Sequence, residues 1–327
     1  MYINVLKTTS CCLAQALFVC LTFAEAQAQA AYPTRAVRLV VGYAPGGNAD
    51  LLSRIVAQKL GEALGQQFVV DNRAGATGTI GSDIVAKATA DGYTLLSISS
   101  THVIVPGLFP KLSFDPVKDF AGISRFASVP LVIAVTPSLP TRIKELVARA
   151  KAKPGELNYA SPGNGSPGHL AGVLFNTVTG TMIEHVPYKS TAQAFTDLIS
   201  GEVQLMFPTV SAVQPHVKTG KIRALAITSR QRSALAPDLL TAAEAGLPNY
   251  EAGTWNAVLA PAHTPQPLIN RLNATLVNIM KTPEVRERFI ARGAETITDT
   301  PAELDQFIAV EIKKWSKVIK DAGVRLD

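Results

Sequence analysis

Short apolar runs alternate with segments whose apolar residues recur at helical spacing, and this alternation limits what the chain can fold into more than any other feature. It is clearest from Leu39 to Leu60 (LVVGYAPGGNADLLSRIVAQKL). Leu39, Val40 and Val41 read as a strand, Pro45, Gly46 and Gly47 break it, and Leu51, Leu52, Ile55, Val56 and Leu60 follow at helical spacing. A strand near Gln67 to Asp71, a helix near Ile80 to Ala88 and a strand at Thr94 to Ser97 continue the rhythm. Such repetition predicts an α/β fold with a largely parallel sheet and helices on its faces. Guests of these folds bind at the carboxyl ends of strands, where three loops fall: Tyr43 to Asp50, Asn72 to Thr79 and Ser99 to Val103.

The first two loops share a chemistry. Gly-Gly allows positive φ and close approach of a guest, and the helix start that follows offers unpaired N–H groups and a partial positive charge. That suits a carboxylate or phosphate, although glycines that only make the turn read the same way. Asn72 to Thr79 (NRAGATGT) is again glycine-rich and leads into a helix. Arg73 reads equally as a carboxylate clamp or as a partner of Asp71 or a carbonyl. His102 reads as packed or hydrogen-bonded, since no second His, Asp or Glu sits beside it at metal-ligand spacing.

Leu112 to Phe120 is a turn-rich connection, and Ile123 to Val135 is a long apolar stretch broken at Pro130, suited to crossing between two domains. The rhythm then restarts with helices at Ile143 to Ala152, Leu170 to Thr177, Gln193 to Ser200 and Val210 to Lys218. Strands at Leu157 to Ala160, Ile183 to Val186, Val203 to Phe207 and Ala224 to Ile227 alternate with them. Tyr250 to Ala260 returns as a strand, and helices at Pro267 to Met280, Pro283 to Arg292 and Pro301 to Ala322 close the chain. The last opens on Thr300, Pro301 and Glu303, a cap, a proline at the first helical position and a capping-box carboxylate. Two crossings between two α/β lobes describe a hinged clamshell with a cleft. The expected bounds are 31–129 with 255–327 for lobe 1, and 130–254 for lobe 2.

Residues 1–30 read as a secretory signal: Lys7, an apolar core from Leu13 to Ala24 too short to span a bilayer, and Ala28-Gln29-Ala30, with cleavage after Ala28 or Ala30. A lipid anchor on Cys20 is the rival reading, opposed by bulky Phe18 and Val19. Cys11, Cys12 and Cys20 all lie in this segment, so the mature chain has no thiol nucleophile, thiolate zinc site or cysteine-held cluster. Without disulfides it rests on its hydrophobic core, which a chain of roughly 300 residues can build. The signal carries one Lys and one Glu, so the net charge stays at +6, which draws in anionic solutes. Scattered Lys and Arg with 6% aromatics give no nucleic-acid face.

Ser161 to His169 (SPGNGSPGH) lies between a strand and a helix. Gly163, Gly165 and Gly168 match G-x-G-x-x-G, but Pro167 removes an N–H from the turn that would face a pyrophosphate. Ser166 as a hydrolase nucleophile fails G-x-S-x-G at Asn164, and Pro167 supplies no oxyanion N–H. His169 is better placed to touch the turn than to act as a base. Solute binding remains, with hydroxyls of Ser161 and Ser166 and helix-start amides as donors. Val186 to Thr191 (VPYKST) adds Ser190 and Thr191, with Lys189 as a counter-charge or a solvated surface residue.

YAPGGNAD, DNRAGATG, DGYTLL, DPVKDF, YASPGNGSPGHLAG, VPYKS, DLISGEVQLMF, GKIRALAITS and AAEAGLPNYEAGTW, in this order over the whole mature chain, closely resemble the Bug receptors, the extracytoplasmic solute-binding proteins of tripartite tricarboxylate transporters. The resemblance implies a two-lobed type II periplasmic-binding-protein fold with two hinge-crossing strands, which closes on a small organic carboxylate as a Venus flytrap. It also implies a periplasmic monomer that delivers to membrane permease subunits, with no catalysis and no cofactor or metal. Candidate contacts are Tyr43, Ala44, Gly47, Asp50, Ala76, Thr77, Gly78 and Thr101, whose loops would hold one carboxylate partly through water. Ser161, Ser166, His169, Lys189, Ser190 and Thr191 would read the rest of the solute. The family often has Pro at Ala74, Asn at Val105, Gly at Ser190 and Gly at His263; Val105 and Ser190 are expected on cleft-facing loops and His263 on the surface. A sensor feeding a membrane kinase and an exported hydrolase using Ser166 are the alternative functions.

Overall fold

The computed structural model describes residues 32–109 and 111–324; the signal segment and its cysteines lie outside them. Its elements run β1 (Val37–Val41), α1 (Asn48–Leu64), β2 (Phe68–Asn72), α2 (Thr79–Ala86), β3 (Thr94–Ser99), α3 (Thr101–Leu108), β4 (Phe120–Pro130) and β5 (Val132–Val135). There follow α4 (Ile143–Ala152), β6 (Asn158–Ser161), α5 (Pro167–Thr179), β7 (Glu184–Pro187), α6 (Thr191–Ser200), β8 (Leu205–Met206), α7 (Val210–Lys218) and β9 (Arg223–Ile227). The chain ends with β10 (Gly253–Pro261), α8 (Gln266–Met280), α9 (Pro283–Ile290), β11 (Glu295–Thr296) and α10 (Pro301–Asp321).

The strands form two sheets, ordered β11-β4-β10-β3-β1-β2 and β7-β6-β8-β5-β9. Each contains a parallel trio, β2-β1-β3 in one and β7-β6-β8 in the other. Beside each trio lies an antiparallel strand that has just arrived from the other sheet: β10 follows β9, and β5 follows β4. This reciprocal exchange makes the molecule two-lobed with two crossings, as the type II binding-protein fold requires.

Only Leu131 separates β4 from β5, so the first crossing is nearly continuous strand. Thr228, fully buried, ties it to the second. Its hydroxyl donates to the carbonyl of Ala252 at 2.6 Å and accepts from the amide of Leu131 at 3.1 Å, while its own amide donates to the carbonyl of Leu131 at 2.9 Å. Thr228 thereby fixes the spacing of the crossing strands.

The apolar runs form strands because both faces of the sheets are covered: Val37, Leu39, Val40 and Val41 are all buried. Helix α5 lies so close to β6 that a methyl group on Gly172 would fall 2.2 Å from the ring of Tyr159. In the carboxy-terminal tail, α8 and α10 pack on β4 and β11 pairs with it, which places the tail with the first sheet. Two expectations change. Ser99 to Val103 is not an open loop, because α3 begins at Thr101 and runs through Pro106. Two-residue β11 joins the edge of the first sheet through Glu295 and Thr296.

Candidate functional site

The carboxyl ends of both parallel trios converge on the hinge. Ser99, the last residue of β3, pairs with Asn256 just past the second crossing. Pro208, just past β8, accepts a hydrogen bond at 2.8 Å from the amide of Val132, one residue past Leu131. The strand-end loops of the two lobes therefore flank the crossing strands and border one cleft.

On the first lobe, two helices open without a side-chain cap: α1 after Gly47 and α2 after Gly78. The amide of Thr79 is taken by the carbonyl of Ala76, and the other first-turn amides have no side-chain cap and are left for water or a guest. Asp50 shapes the first loop from below. It is buried, and its carboxylate accepts from the amide of Gly46, Asn72 Nδ2 and the guanidinium of Arg54. Burial pushes its pKa up, but the bonds from Arg54, Gly46 and Asn72 outweigh this and hold it below the usual carboxylate range. Asp50 is therefore engaged in holding the loop. Ala44 and Gly47 are exposed on that loop.

The second loop carries four successive residues at positive φ: Gly75 at 135°, Ala76 at 44°, Thr77 at 58° and Gly78 at 92°. For Ala and Thr this costs of order 1–3 kcal/mol each, and it persists only where surroundings enforce it. They do so here. Gly78 N–H bonds the carbonyl of Gly75 at 2.9 Å, and the hydroxyls of Thr79 and Ser82 donate to the carbonyls of Ala76 and Gly78 at 2.9 and 3.1 Å. A Cβ on Gly42 would lie 3.0 Å from Gly78 Cα, and one on Gly81 would lie 3.0 Å from Gly42 Cα, so the two loops meet backbone to backbone. Gly42 and Gly81, rather than the Gly46-Gly47 pair, supply this close approach.

A hydroxyl cluster completes the first lobe. Tyr43 OH lies 2.6 Å from Thr101 Oγ1 and accepts from the amide and hydroxyl of Ser99 at 3.1 and 2.7 Å. Ser99 was not singled out as a contact from sequence, and the run of polar residues after β3 was its signal. Arg73 bonds Asp71 at 3.0 Å. His102 is buried and bonds the carbonyl of Pro116 at 3.0 Å, and burial drives its pKa down to about 4. Val105 is buried within α3, not on a loop, because the helix extends past it. His263 is exposed at φ 65°, a conformation that suits glycine.

On the second lobe the starts of α5 and α6 are capped, whereas α7 opens after Thr209 without a side-chain cap. Ser166 accepts from the amide of His169, and Ser190 from that of Gln193, both at 3.3 Å, leaving each O–H to donate. Thr191 is half-buried at the first position of α6, and Lys189 is exposed with no ion pair to any described residue. Ser161 is fully buried; its hydroxyl bonds Gly163 and lies 2.7 Å from His185 Nε2. His169 Nδ1 accepts from the amide of Gly165 at 3.0 Å, so His169 touches the turn and is not aimed at Ser166 as a base. Its ring stacks on that of His185 with centroids 3.9 Å apart. Burial pushes both pKa values down to about 4, and at His185 the facing imidazole of His169 adds to the lowering. His185, an isolated histidine in a strand, gave no signal in the sequence.

Among the described residues no cluster of His, Cys, Asp and Glu is able to hold a metal ion, and no helix is long and apolar enough to cross a membrane. Two lobes exchanging strands, with polar strand-end loops bordering a hinged cleft, define a solute-binding protein. The model of the tripartite tricarboxylate transporter family receptor matches residues 52–324, and the chain belongs to that family. It is 39% identical to the protein BugT of Bordetella pertussis over 298 residues, 90% of this chain and 91% of BugT. Among solved structures it resembles an R. palustris protein with adipate (38% identity, TM-score 0.71, covering 90% of this chain and 100% of that one). It also resembles a Rhodopseudomonas palustris protein with bound malate (31%, TM-score 0.68, 88% and 100%) and a solute-binding protein from Polaromonas without ligand (26%, TM-score 0.82, 89% and 99%).

Proposed function

We infer that the chain is a periplasmic receptor that captures a small organic carboxylate between lobe 1 (31–129 and 255–327) and lobe 2 (130–254) and delivers it to a tripartite tricarboxylate-type permease. The observation that carries this reading is the meeting of two uncapped helix starts, α1 and α2, beside the Tyr43, Ser99 and Thr101 hydroxyls. Helix-start amides and neutral hydroxyls favour a carboxylate without an arginine. Relatives solved with adipate and malate support the same class of solute. A charge-assisted hydrogen bond contributes roughly 1.5–3 kcal/mol, and micromolar capture needs about 8 kcal/mol net. Four to six donors, offset by the cost of ordering, reach that value. The hydroxyls of Ser166, Ser190 and Thr191 supply donors from the second lobe, with Lys189 as a counter-charge at the rim. The protein works as a monomer without catalysis, and solute shifts it toward the closed state that docks on the permease.

A thermal-shift panel of small carboxylates, their amides and neutral analogues on refolded mature protein tests this reading. Refolding removes any solute carried through purification. A rise of several degrees for a carboxylate and none for its neutral analogue is expected. Equal shifts for both, or ester turnover abolished by Ser166→Ala, would overturn it.

A further inference from the structure

The turn from Ser161 to Ser166 is shaped by two imidazoles. Gly165 donates its amide to Nδ1 of His169 at 3.0 Å, so that nitrogen must carry a lone pair. Adding a proton there would set N–H against N–H and release the turn. His185 secures the other end, since its Nε2 lies 2.7 Å from the hydroxyl of Ser161, which also bonds Gly163 through both its carbonyl and its amide. The two rings stack at 3.9 Å and 14°, so a charge on one faces the other directly.

The surroundings offer a positive charge no compensation. Tyr159 from β6 flanks both rings and donates its hydroxyl to the carbonyl of His169, and Tyr250 ahead of β10 donates to that of Ala171. Just past β8, Phe207 packs edge-on against the Tyr159 ring. The charged groups on the surrounding elements are engaged or turned outward. Glu184 of β7 and Lys189 beyond it are exposed, Asp197 of α6 accepts from Tyr188, and Glu311 of α10 accepts from Trp315 and Lys314, beside exposed Lys313 and Lys317.

We propose that the uncharged, stacked pair His169 and His185 are positioning residues that hold the Ser161–Ser166 turn in its solute-reading shape, so that protonating His169 releases the turn and weakens solute capture. The effect on capture rests on the carboxylate-receptor reading; the effect on the turn does not. Burial disfavours charge on both rings, and His169 disfavours it further on His185, which matches pKa values pushed down to about 4.

The test uses ligand-free protein, with imidazole titrations and amide exchange followed by NMR. In the wild type, His169 should titrate well below the ordinary histidine value, and the protection of the Gly165 amide should fall with the same midpoint while that of Val173 in α5 holds. At pH 7, His169→Leu should lose at least tenfold of the Gly165 protection. His169→Asn places an oxygen acceptor where Nδ1 stands, and should keep the protection and remove its pH dependence. Far-UV circular dichroism confirms that both variants are folded. Unchanged Gly165 protection in folded His169→Leu, or titration of His169 near 6.5 with the turn undisturbed, would overturn the proposal. Adipate then serves as the probe of capture by calorimetry. Failure of every variant and of the wild type to bind adipate or any carboxylate of the panel would count against the receptor reading and leave the turn result standing.

Discussion

Replacing Thr228 by Val tests the hinge. The two side chains are nearly isosteric, so the packing around a fully buried position survives while the hydroxyl disappears. Two groups then lose their partner in the interior: the amide of Leu131, which donates to Thr228 Oγ1 at 3.1 Å, and the carbonyl of Ala252, which accepts from it at 2.6 Å. Leu131 keeps its carbonyl bond, because that comes from the Thr228 amide at 2.9 Å. An orphaned buried polar group costs about 1–3 kcal/mol, so the substitution should destabilise the protein by roughly 2–6 kcal/mol. The assay is urea unfolding followed by circular dichroism, with the midpoint falling and the slope unchanged. Thr228→Ser keeps the hydroxyl and deletes one methyl, and should cost only about 1 kcal/mol. A loss below about 0.5 kcal/mol in Thr228→Val, within the range of ordinary surface changes, would refute the assignment of Thr228 as the tie between the crossing strands.

Gly172→Ala should destabilise the second lobe by about 2 kcal/mol or more, because its methyl would sit 2.2 Å from the buried ring of Tyr159; thermal unfolding reads this. Tyr43→Phe should weaken carboxylate binding roughly five- to tenfold in calorimetry, as Ser99 and Thr101 lose the hydroxyl that organises them. Acid should destabilise the fold before its carboxylates titrate. His102, His169 and His185 are each driven from 6.5 to about 4 by burial, so unfolding takes up protons there. Their contribution is complete above pH 6.5 and lost as pH falls toward 4. The slope of stability against pH should approach three protons, at about 1.4 kcal/mol per proton and pH unit, in denaturation series between pH 7 and 5.

Much of the fold was legible because helices and strands here keep clean periods. Helices α4 and α7 fall where apolar spacing put them, and the apolar stretch around Pro130 is the first crossing. The start of α3 at Thr101 was hidden by the polar SSTH run and by Pro106, and β11 is too short to show any period. The strand-end loops were visible, but the division of labour inside them was not. Asp50 carries the charge that a sequence reader assigns to a ligand, and only the convergence of Gly46, Arg54 and Asn72 shows that its carboxylate is already engaged. Likewise Gly42 and Gly81 look incidental until the backbone of Gly78 is seen against Gly42. His185 meets His169 through the parallel register of β6 and β7 and the packing of α5, relations between residues far apart in the chain.

The account rests on where the solute sits. A crystal structure of the refolded protein with the carboxylate that gives the largest thermal shift decides this most directly. The expected result places its carboxylate oxygens within about 3.2 Å of amides in the loops that open α1 and α2, beside Tyr43 and Thr101, with a hydroxyl of Ser166, Ser190 or Thr191 closing from the other lobe. The hinge also carries a polar recess lined by Arg125, Ser128, Glu251, Thr254 and Lys314, with Arg125 engaged by Asp299 at 2.7 Å. A solute found in that recess, with the strand-end loops unliganded, would contradict the account.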